Sequence, residues 1–259
     1  MNPDQNPLAL LKSGQPLVAM LAPSFPIVFN PNTIVGMLKR IGFQNVVEVS
    51  AGAQQTNDVL ISALKKDDKA KFITSPCPNI VRIIRIKYPQ ALKYLALEVD
   101  SPMVATAKIV HKNFPQKQAV FIGPCLVKRL EALEDHPDLN ILCVTFKDIQ
   151  QIFHDLGISE QEGDNNQTFD LVHTETRLYP ISGGLAQSSG VTDLLNNDAF
   201  EVVSGPQNVD GAIKRFLESD HIRLLDILFC DGGCISGPGI VSPMTIEARR
   251  KKIMDHWIN

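Results

Sequence analysis

Short apolar runs rich in β-branched residues alternate with longer helical patterns along the chain, and this alternation restricts the fold more than any other feature. It predicts parallel strands joined by helical crossovers, which is an α/β architecture. The predicted strands are Pro16–Leu21, Val46–Val49, Phe72–Ser75, Ala119–Ile122, Ile141–Thr145, Glu201–Val203 and Leu225–Phe229. The predicted helices include Pro31–Ile41, Asn57–Lys65, Pro102–His111, Phe146–Leu156 and Asp210–Leu217.

The positions of these elements suggest two lobes. Three predicted strands precede the turn-rich stretch at residues 112–117, and four follow it. We therefore expect an N-terminal segment at 1–14, a first lobe at 15–112 and a second lobe at 113–259. Each lobe should contain a small, mostly parallel sheet flanked by helices. The polar, acidic stretch 159–170 is expected to be an exposed loop, and the charge run Arg249–Lys252 the solvated face of a C-terminal helix.

Charge and hydropathy argue against two classes of partner. The formal net charge of −3 is spread along the chain without a basic stripe, so we do not expect nucleic acid as a partner. No apolar run approaches the roughly 20 residues that a membrane-spanning helix needs, and the first residues lack the pattern of a secretory signal. We expect a cytoplasmic protein that does not bind membranes.

Four of the five cysteines lie where a parallel sheet would gather ligands. Cys77 and Cys125 each follow a predicted strand, and Cys230 and Cys234 form a C-x-x-x-C pair directly after the last strand. Ligands in open α/β sheets collect at the carboxyl ends of the strands. We therefore expect the four thiols to converge in the crevice between the lobes. The odd number of cysteines and the absence of an export signal argue against a disulfide framework.

Four convergent thiolates suit either a zinc ion or an iron-sulfur cubane. Structural zinc sites favour two tightly spaced cysteine pairs, whereas two of these cysteines are isolated in the sequence, which favours a cubane. Nearby glycines at 232, 233, 237 and 239 would allow close approach of the backbone to sulfur. The alternative is that the cysteines are simply buried packing residues, and this is our interpretation of Cys143, inside a predicted strand.

Lys128 follows Cys125 by three residues, and we expect it to face the same crevice on the first turn of a helix, where its charge would compensate anionic sulfur. Glu131 lies on the same helix face and is expected to pair with Lys128 or to be solvated. The histidines show no paired spacing, and the nucleotide-binding and acyl-transfer motifs are absent from the sequence. Any redox chemistry would therefore belong to a cluster at the cysteines.

Three motifs together resemble the cluster domain of the iron-only hydrogenase large subunit. They are T-S-P-C-P at 74–78, G-P-C-L-V-K-R-L-E at 123–131 and C-D-G-G-C-I-S-G-P-G at 230–239. Their order and spacing agree with the family over 18–238, and weaker similarities occur at 22–24, 100–102, 144–145 and 179–185.

The resemblance implies a [4Fe-4S] cubane joined through one cysteine to a two-iron site with carbonyl, cyanide and dithiolate ligands. Carried over to this chain, Cys77, Cys125 and Cys230 would be cubane ligands, and Cys234 would bridge to the two-iron site. Lys128 would contact a cyanide. The backbone near Pro23 and Ser24 would line the two-iron pocket.

The chain departs from the pattern of the catalytic members. Pro76 stands where they have a cysteine that donates protons, and proline has no titratable group. Gly123 replaces a methionine, Leu228 lies two residues before the third ligand, and the glutamate of the proton path falls near Val59. Because proton delivery to a buried metal needs titratable groups within hydrogen-bond reach, these changes argue against rapid hydrogen turnover.

These features leave three interpretations. The first is a sensory or regulatory module that binds the cubane, with or without the two-iron site, and responds to hydrogen or redox state. It is favoured because proline at 76 is similar to the sensory branch of the family. The second is a low-turnover iron-only hydrogenase, and the third is a cubane-only carrier or scaffold. The sequence lacks the cysteine run of a ferredoxin, so an electron-transfer protein or a ferredoxin-like module is the expected partner, together with a signalling module if the protein is a sensor.

Overall fold

The computed structural model describes residues 7–258 and contains two parallel sheets flanked by helices, which confirms the α/β class. Its strands are β1 (Leu17–Leu21), β2 (Asn45–Glu48), β3 (Phe72–Ile73), β4 (Gln118–Gly123), β5 (Leu142–Thr145), β6 (Phe200–Ser204) and β7 (Leu224–Leu228). All the strand pairs within the two sheets are parallel, because a helical or irregular crossover separates consecutive strands.

The helices surround both sheets. They are α1 (Pro7–Lys12), α2 (Ile34–Arg40), α3 (Ser50–Lys66), α4 (Pro78–Lys87), α5 (Pro102–Asn113), α6 (Lys128–Leu130), α7 (Phe146–Asp155), α8 (Gly184–Ser189), α9 (Val191–Leu194), α10 (Pro206–Glu218) and α11 (Ile246–Ile258). Their starts follow local chemistry. Ser101 and Thr145 accept backbone hydrogen bonds as N-caps of α5 and α7, and α4, α5 and α10 begin with proline.

Each sheet contains strands from both sides of residue 112, so this residue is not a boundary between the sheets. The first sheet has the order β2-β1-β4-β5 and the second the order β3-β7-β6. Strand β3 from the expected first lobe therefore pairs with strands beyond residue 199, and β4 and β5 from the expected second lobe pair with β1. The proposed lobes 15–112 and 113–259 correspond to neither sheet, because local periodicity identifies strands without identifying their partners.

Two core regions enclose the second sheet. On β7, Leu225 and Ile227 pack in one region with residues of α4 and α10, whereas Leu224 packs in the other with residues of α3 and α8. Successive side chains of a strand point to opposite faces, so Asp226 lies on the same face as Leu224. The first sheet has a larger core to which all four of its strands contribute.

The stretch 159–170 is not a detached loop. Asp164 is buried, and its carboxylate binds the guanidinium of Arg40 on α2 at 2.8 Å. Asp170 accepts hydrogen bonds from the backbone N–H of Val46 and the side chain of Asn45. The sequence suggests that these acidic residues are solvated, but in the structure they bind the segment to the first sheet and to α2.

The expected N-terminal segment 1–14 includes α1, and its first six residues lie outside the described part of the chain. Within residues 7–258, no helix combines the length and apolar character that crossing a bilayer requires.

Candidate metal centre

The four cysteines lie at the carboxyl ends of strands from both sheets. Cys125 follows β4 of the first sheet, whereas Cys77 and Cys230 follow β3 and β7 of the second. Cys77 is also the N-cap residue of α4, where the positive end of the helix dipole favours negative charge. Cys234 begins a short 3₁₀ turn four residues after Cys230.

Each thiol lies close enough to the other three to interact electrostatically with them. Burial raises the pKa of Cys230 to about 11, and repulsion from Cys77 and Cys125 adds to the increase. Burial and then repulsion from the other three thiols raise the pKa of Cys234. Ionisation of Cys77, Cys230 and Cys234 is therefore disfavoured without a compensating cation, and binding a cation would displace protons from sulfur.

Backbone donors are already in place at Cys77. Burial raises the pKa of this thiol, but hydrogen bonds from the backbone N–H groups of Ile80 and Phe229 oppose the increase. Ile80 lies in the first turn of α4, and Phe229 immediately precedes Cys230. These donors would stabilise a sulfur ligand in its anionic form.

Glycines bring the loop that carries Cys234 against its neighbours. Gly233 has φ +105°, and a Cβ there would lie 2.5 Å from the carbonyl oxygen of Pro180. A Cβ at Gly237 would lie 2.6 Å from the carbonyl oxygen of Pro124, directly before Cys125. Only glycine fits these close approaches, so the G-G and G-P-G parts of the last motif set the position of Cys234 relative to Cys125.

The cysteine group is not arranged around a single ion. Within the described residues 7–258, no three or more His, Cys, Asp or Glu side chains are placed to ligate one metal ion. A zinc ion would require sulfurs at about 2.3 Å from one point. The preference for a cubane over zinc therefore rests on the sequence spacing of the cysteines.

A cavity of about 80 Å³ adjoins the cysteine group and is lined by Cys125 and Cys234. Its remaining wall is mostly apolar and comes from both sheets. It includes Ala22, Pro23, Ser24, Pro76, Phe121, Lys128, Tyr179, Asp226 and Leu228. The volume accommodates several water molecules or a group of similar size.

Phe121 occupies space next to one of the sequence departures. Its ring lies 2.4 Å from the point where a Cβ at position 123 would stand. A side chain at position 123 would therefore conflict with the placement of Phe121, which itself lines the cavity.

Lys128 is buried and lines the cavity, but its ammonium group is fully engaged. Its Nζ donates hydrogen bonds to the carbonyl oxygen of Pro76 and the hydroxyl of Ser101, both at 3.1 Å, and to the carboxylate of Glu131. Burial lowers the pKa of Lys128, yet Glu131 and the thiols at 125 and 234 raise it more. An ammonium has three donors, so Lys128 would exchange one of these bonds to contact a ligand.

Cys143 is not one of the cysteines that follow the strand ends. It is buried within β5, and its Sγ lies 3.4 Å from the carbonyl oxygen of Lys128. Burial raises the pKa of this thiol to about 12, so it remains protonated and packs as a small apolar residue.

Two buried polar atoms at the cavity have no hydrogen-bond partner. They are Oγ of Ser24, whose side chain is inaccessible to solvent, and Oδ2 of Asp226, which is 2% exposed. Sequence reasoning included Ser24 and missed Asp226. The signal for Asp226 was a single carboxylate in the otherwise apolar strand L-L-D-I-L. Buried polar groups normally have partners, so these two atoms leave hydrogen-bonding capacity open to a group in the cavity.

Arg249 was also missed. The charge run was expected to be solvated, but this guanidinium is half-buried and donates to the carbonyl oxygens of Ile235, Ser242 and Met244. It thereby fixes the backbone next to Cys234. Val59, where the family's glutamate would fall, is 45% exposed on α3.

Solved [FeFe]-hydrogenase structures share the fold at low identity. One, from work on oxygen inactivation by modification and degradation of the 2Fe subcluster of the H cluster, has a TM-score of 0.70 and 16% identity, covering 99% of this chain and 88% of that chain. A variant of HydA1 from Chlamydomonas reinhardtii has a TM-score of 0.69 and 15% identity, covering 100% and 86%.

A third structure, which concerns stepwise H-cluster assembly in HydA(deltaEFG), has a TM-score of 0.67 and 16% identity and covers 100% of this chain and 86% of that chain. At such identities the structural likeness establishes the fold alone. The family assignment comes from the sequence: residues 15–238 match the family described as iron only hydrogenase large subunit, C-terminal domain. The chain belongs to the C-terminal domain family of the iron-only hydrogenase large subunit.

Proposed function

We propose that the protein binds a [4Fe-4S] cubane through Cys77, Cys125, Cys230 and Cys234 and acts as a hydrogen-sensing or redox-sensing module. The observation that carries the proposal is the mutual proximity of four thiols at strand ends, next to a cavity that two of them line. Four soft sulfur donors from separate segments match the ligand preference of iron-sulfur clusters.

The surroundings of the thiols suit an anionic centre. The N–H groups of Ile80 and Phe229 and the start of α4 stabilise negative charge at Cys77, and Lys128 lies next to Cys125 and Cys234. When bound, the cluster supplies one-electron redox capacity. The protein residues hold it, limit access of water and set the electrostatic potential around it.

We further propose that the adjoining cavity takes a two-iron site attached through Cys234. Cys125 and Cys234 both belong to the cysteine group and to the cavity wall, and the family resemblance implies Cys234 as the link. Pro23 and Ser24 also line the cavity, and the unpartnered hydroxyl of Ser24 is available to a polar ligand atom. Lys128 would reach such a ligand by exchanging one of its hydrogen bonds.

A sensory role is favoured over rapid catalysis because Pro76 lines the cavity at the position where the family resemblance implies a proton-donating cysteine. The carbonyl oxygen of Pro76 accepts a hydrogen bond from Lys128, but the residue cannot release a proton. A low-turnover hydrogenase is the second candidate, and one observation favours it: Asp226 places another titratable group in the same cavity.

Electrons would come from a separate electron-transfer protein or ferredoxin-like module, and a sensor would pass its state to a signalling module. Reduced thiols and an oxygen-sensitive centre suit a cytoplasmic location. These partners follow from the proposed centre.

The test is anaerobic expression with and without hydrogenase maturation factors, followed by iron and sulfide analysis and infrared spectroscopy. We expect about four irons and four sulfides per chain without maturation, as for one cubane. With maturation we expect additional iron and infrared bands of metal-bound carbonyl and cyanide. Hydrogen should shift those bands while hydrogen evolution stays slow.

Single Cys→Ala variants provide the matched comparison. Replacing Cys77, Cys125, Cys230 or Cys234 should abolish stable cluster binding, whereas Cys143→Ala should retain it because Cys143 is buried within β5 and its thiol contacts the carbonyl oxygen of Lys128. Retention of the full iron content in all four variants would overturn the assignment. A cubane without carbonyl or cyanide bands after maturation would restrict the protein to a cubane-only carrier. Rapid hydrogen evolution would favour a hydrogenase.

A further inference from the structure

Asp226 is a buried carboxylate that the proposed ligand set does not use. It lies in the middle of β7, on the face of the strand that looks away from Leu225 and Ile227. The carboxylate accepts one hydrogen bond, from the backbone N–H of Ala186 at the start of α8, and its Oδ2 has no partner. The residue lines the same cavity as Cys125 and Cys234.

Among the described residues 7–258, the cavity wall contains no ion-pair partner for this carboxylate. The cation in the cavity wall is Lys128, and its three donors are engaged by Pro76, Ser101 and Glu131. The other ionisable groups in the wall are Tyr179, Cys125 and Cys234, each of which is neutral or negative. A carboxylate surrounded in this way is expensive to keep ionised.

The consequence is a proton-exchanging group beside the proposed centre. Burial raises the pKa of Asp226 to about 6, so its protonation state changes close to neutral pH. Tyr179, near Asp226, has its own pKa raised by burial and by the negative charge of Asp226, and its hydroxyl donates to Asn57. Tyr179 therefore stays protonated, and Asp226 is the carboxyl group of the cavity wall.

We propose that Asp226 takes up one proton when an electron arrives at the four-cysteine group and releases it when the electron leaves. This inference rests on the proposed cluster binding and adds to it. The electron comes from a one-electron donor protein, and the proton comes from water and forms an O–H bond at the carboxylate. The net charge of the site is then the same before and after reduction. The driving force is electrostatic, because an added negative charge is poorly screened in an apolar cavity.

The proposal separates two roles in the cavity. Pro76 removes the proton donor that the family resemblance implies at one wall, whereas Asp226 on β7 provides a proton-accepting group at another. A sensor benefits from such a group because reduction then responds to pH as well as to the electron donor. The same group would serve a slow hydrogenase as a local proton store.

The experiment compares reconstituted wild-type protein with Asp226→Asn, an isosteric change, and with Asp198→Asn, an exposed aspartate as the matched control. Reduced-minus-oxidised infrared spectra should contain the carbonyl stretch of a newly protonated carboxylic acid in the wild type and in Asp198→Asn. Asp226→Asn should lack that band at unchanged iron content. Exchange into heavy water should shift the band.

The reduction equilibrium gives a second readout. With one proton per electron, the ratio of reduced to oxidised centre at fixed donor potential should fall by about tenfold per pH unit above pH 6 in the wild type. In Asp226→Asn it should stay nearly constant. Persistence of the band or of the pH dependence in Asp226→Asn would overturn the proposal. So would the absence of the band from wild type that holds four irons.

These outcomes are distinguishable from failure of the proposed function. A chain that holds no iron after reconstitution overturns both proposals together. A chain that holds the cluster but shows no reduction-linked protonation overturns the role of Asp226 alone. Stable folding of Asp226→Asn, checked by circular dichroism, is expected because the change removes a buried charge.

Discussion

The two sheets differ in whether their buried carboxylate has a cationic partner. In the first sheet, Glu48 of β2 is inaccessible to solvent and is paired with the guanidinium of Arg177, whose Nε and Nη2 lie within 3.2 Å of the carboxylate oxygens. In the second sheet, Asp226 of β7 is equally buried but has no cationic partner, and one of its oxygens has no hydrogen bond. Both strands lie within apolar cores, so burial alone does not explain the difference.

Under the proposal for Asp226, Glu48 is a structural charge and Asp226 a functional one. A paired, hydrogen-bonded carboxylate can be kept ionised, and Arg177 also donates to the carbonyl oxygen of His256, which ties α11 to the first sheet. An unpaired buried carboxylate costs stability. Glu48 is not part of the cavity wall, although the next residue, Val49, is, whereas Asp226 forms part of it.

The largest expected effect comes from making the first sheet resemble the second. Arg177→Met removes the partner of Glu48 and leaves a buried, uncompensated carboxylate. We expect a loss of about 3–5 kcal/mol in the free energy of unfolding at pH 7, measured by urea denaturation. Part of the loss should disappear at lower pH, because burial already raises the pKa of Glu48 and protonation removes the charge.

The matched control is the double variant Glu48→Gln with Arg177→Met, in which no buried charge remains. It should recover most of the stability lost in Arg177→Met. If the single and double variants are equally unstable, packing of Arg177 rather than its charge holds this region, and the contrast between the sheets would lose its electrostatic basis.

The next effect has the opposite sign. The pKa of Asp226 is about 6 in the folded protein, above its ordinary value of 3.8, so the folded state binds protons more strongly. Its contribution to stability is fully present below pH 3.8 and is lost as pH rises through 6. At about 1.4 kcal/mol per pKa unit the loss is about 3 kcal/mol. Metal-free Asp226→Asn should therefore be more stable than wild type at pH 8.

The gain should shrink towards pH 4, where the wild-type carboxyl is protonated in the folded state. Asp198→Asn serves as the control with an exposed carboxylate and should follow the wild type across the pH range. If Asp226→Asn is less stable than the wild type at pH 8, the carboxylate has a stabilising partner. Asp226 would then be a structural carboxylate like Glu48.

Most strands were predictable from sequence, and their arrangement was not. The predicted Ala119–Ile122 lies within β4, and Leu225–Phe229 overlaps β7, because buried β-branched runs are a local signal. The pairing of β3 with β7 joins segments about 150 residues apart, which no local pattern encodes. Helix α3 begins at Ser50, seven residues before its predicted start. Glycine has a low helix propensity, but Gly52 allows close contact between α3 and α5, and this contact extends the helix.

The candidate site was also predictable from sequence only in part. Cysteines directly after strands could be grouped from sequence because strand ends share one edge of a parallel sheet. The engagement of Lys128 by Pro76 and Ser101 depends on segments brought together only by the fold. Asp226 was missed because an acidic residue in a strand has no motif. Only its burial and its unpartnered oxygen distinguish it from a surface position.

The smallest effect concerns a second paired carboxylate near the first sheet. Asp164 is 3% exposed and receives two hydrogen bonds from Arg40, whose own side chain is 27% exposed. Arg40→Met should cost about 1–2 kcal/mol in urea denaturation, less than Arg177→Met, because water can reach the vacated position and solvate Asp164. Lys39→Met, one residue earlier on α2, is the control and should change stability by less than about 0.5 kcal/mol. If Arg40→Met lowers the free energy of unfolding as much as Arg177→Met does, the exposure of the arginine does not determine how much each ion pair stabilises the fold. The 159–170 segment would then be held more rigidly than its partly exposed ion pair implies.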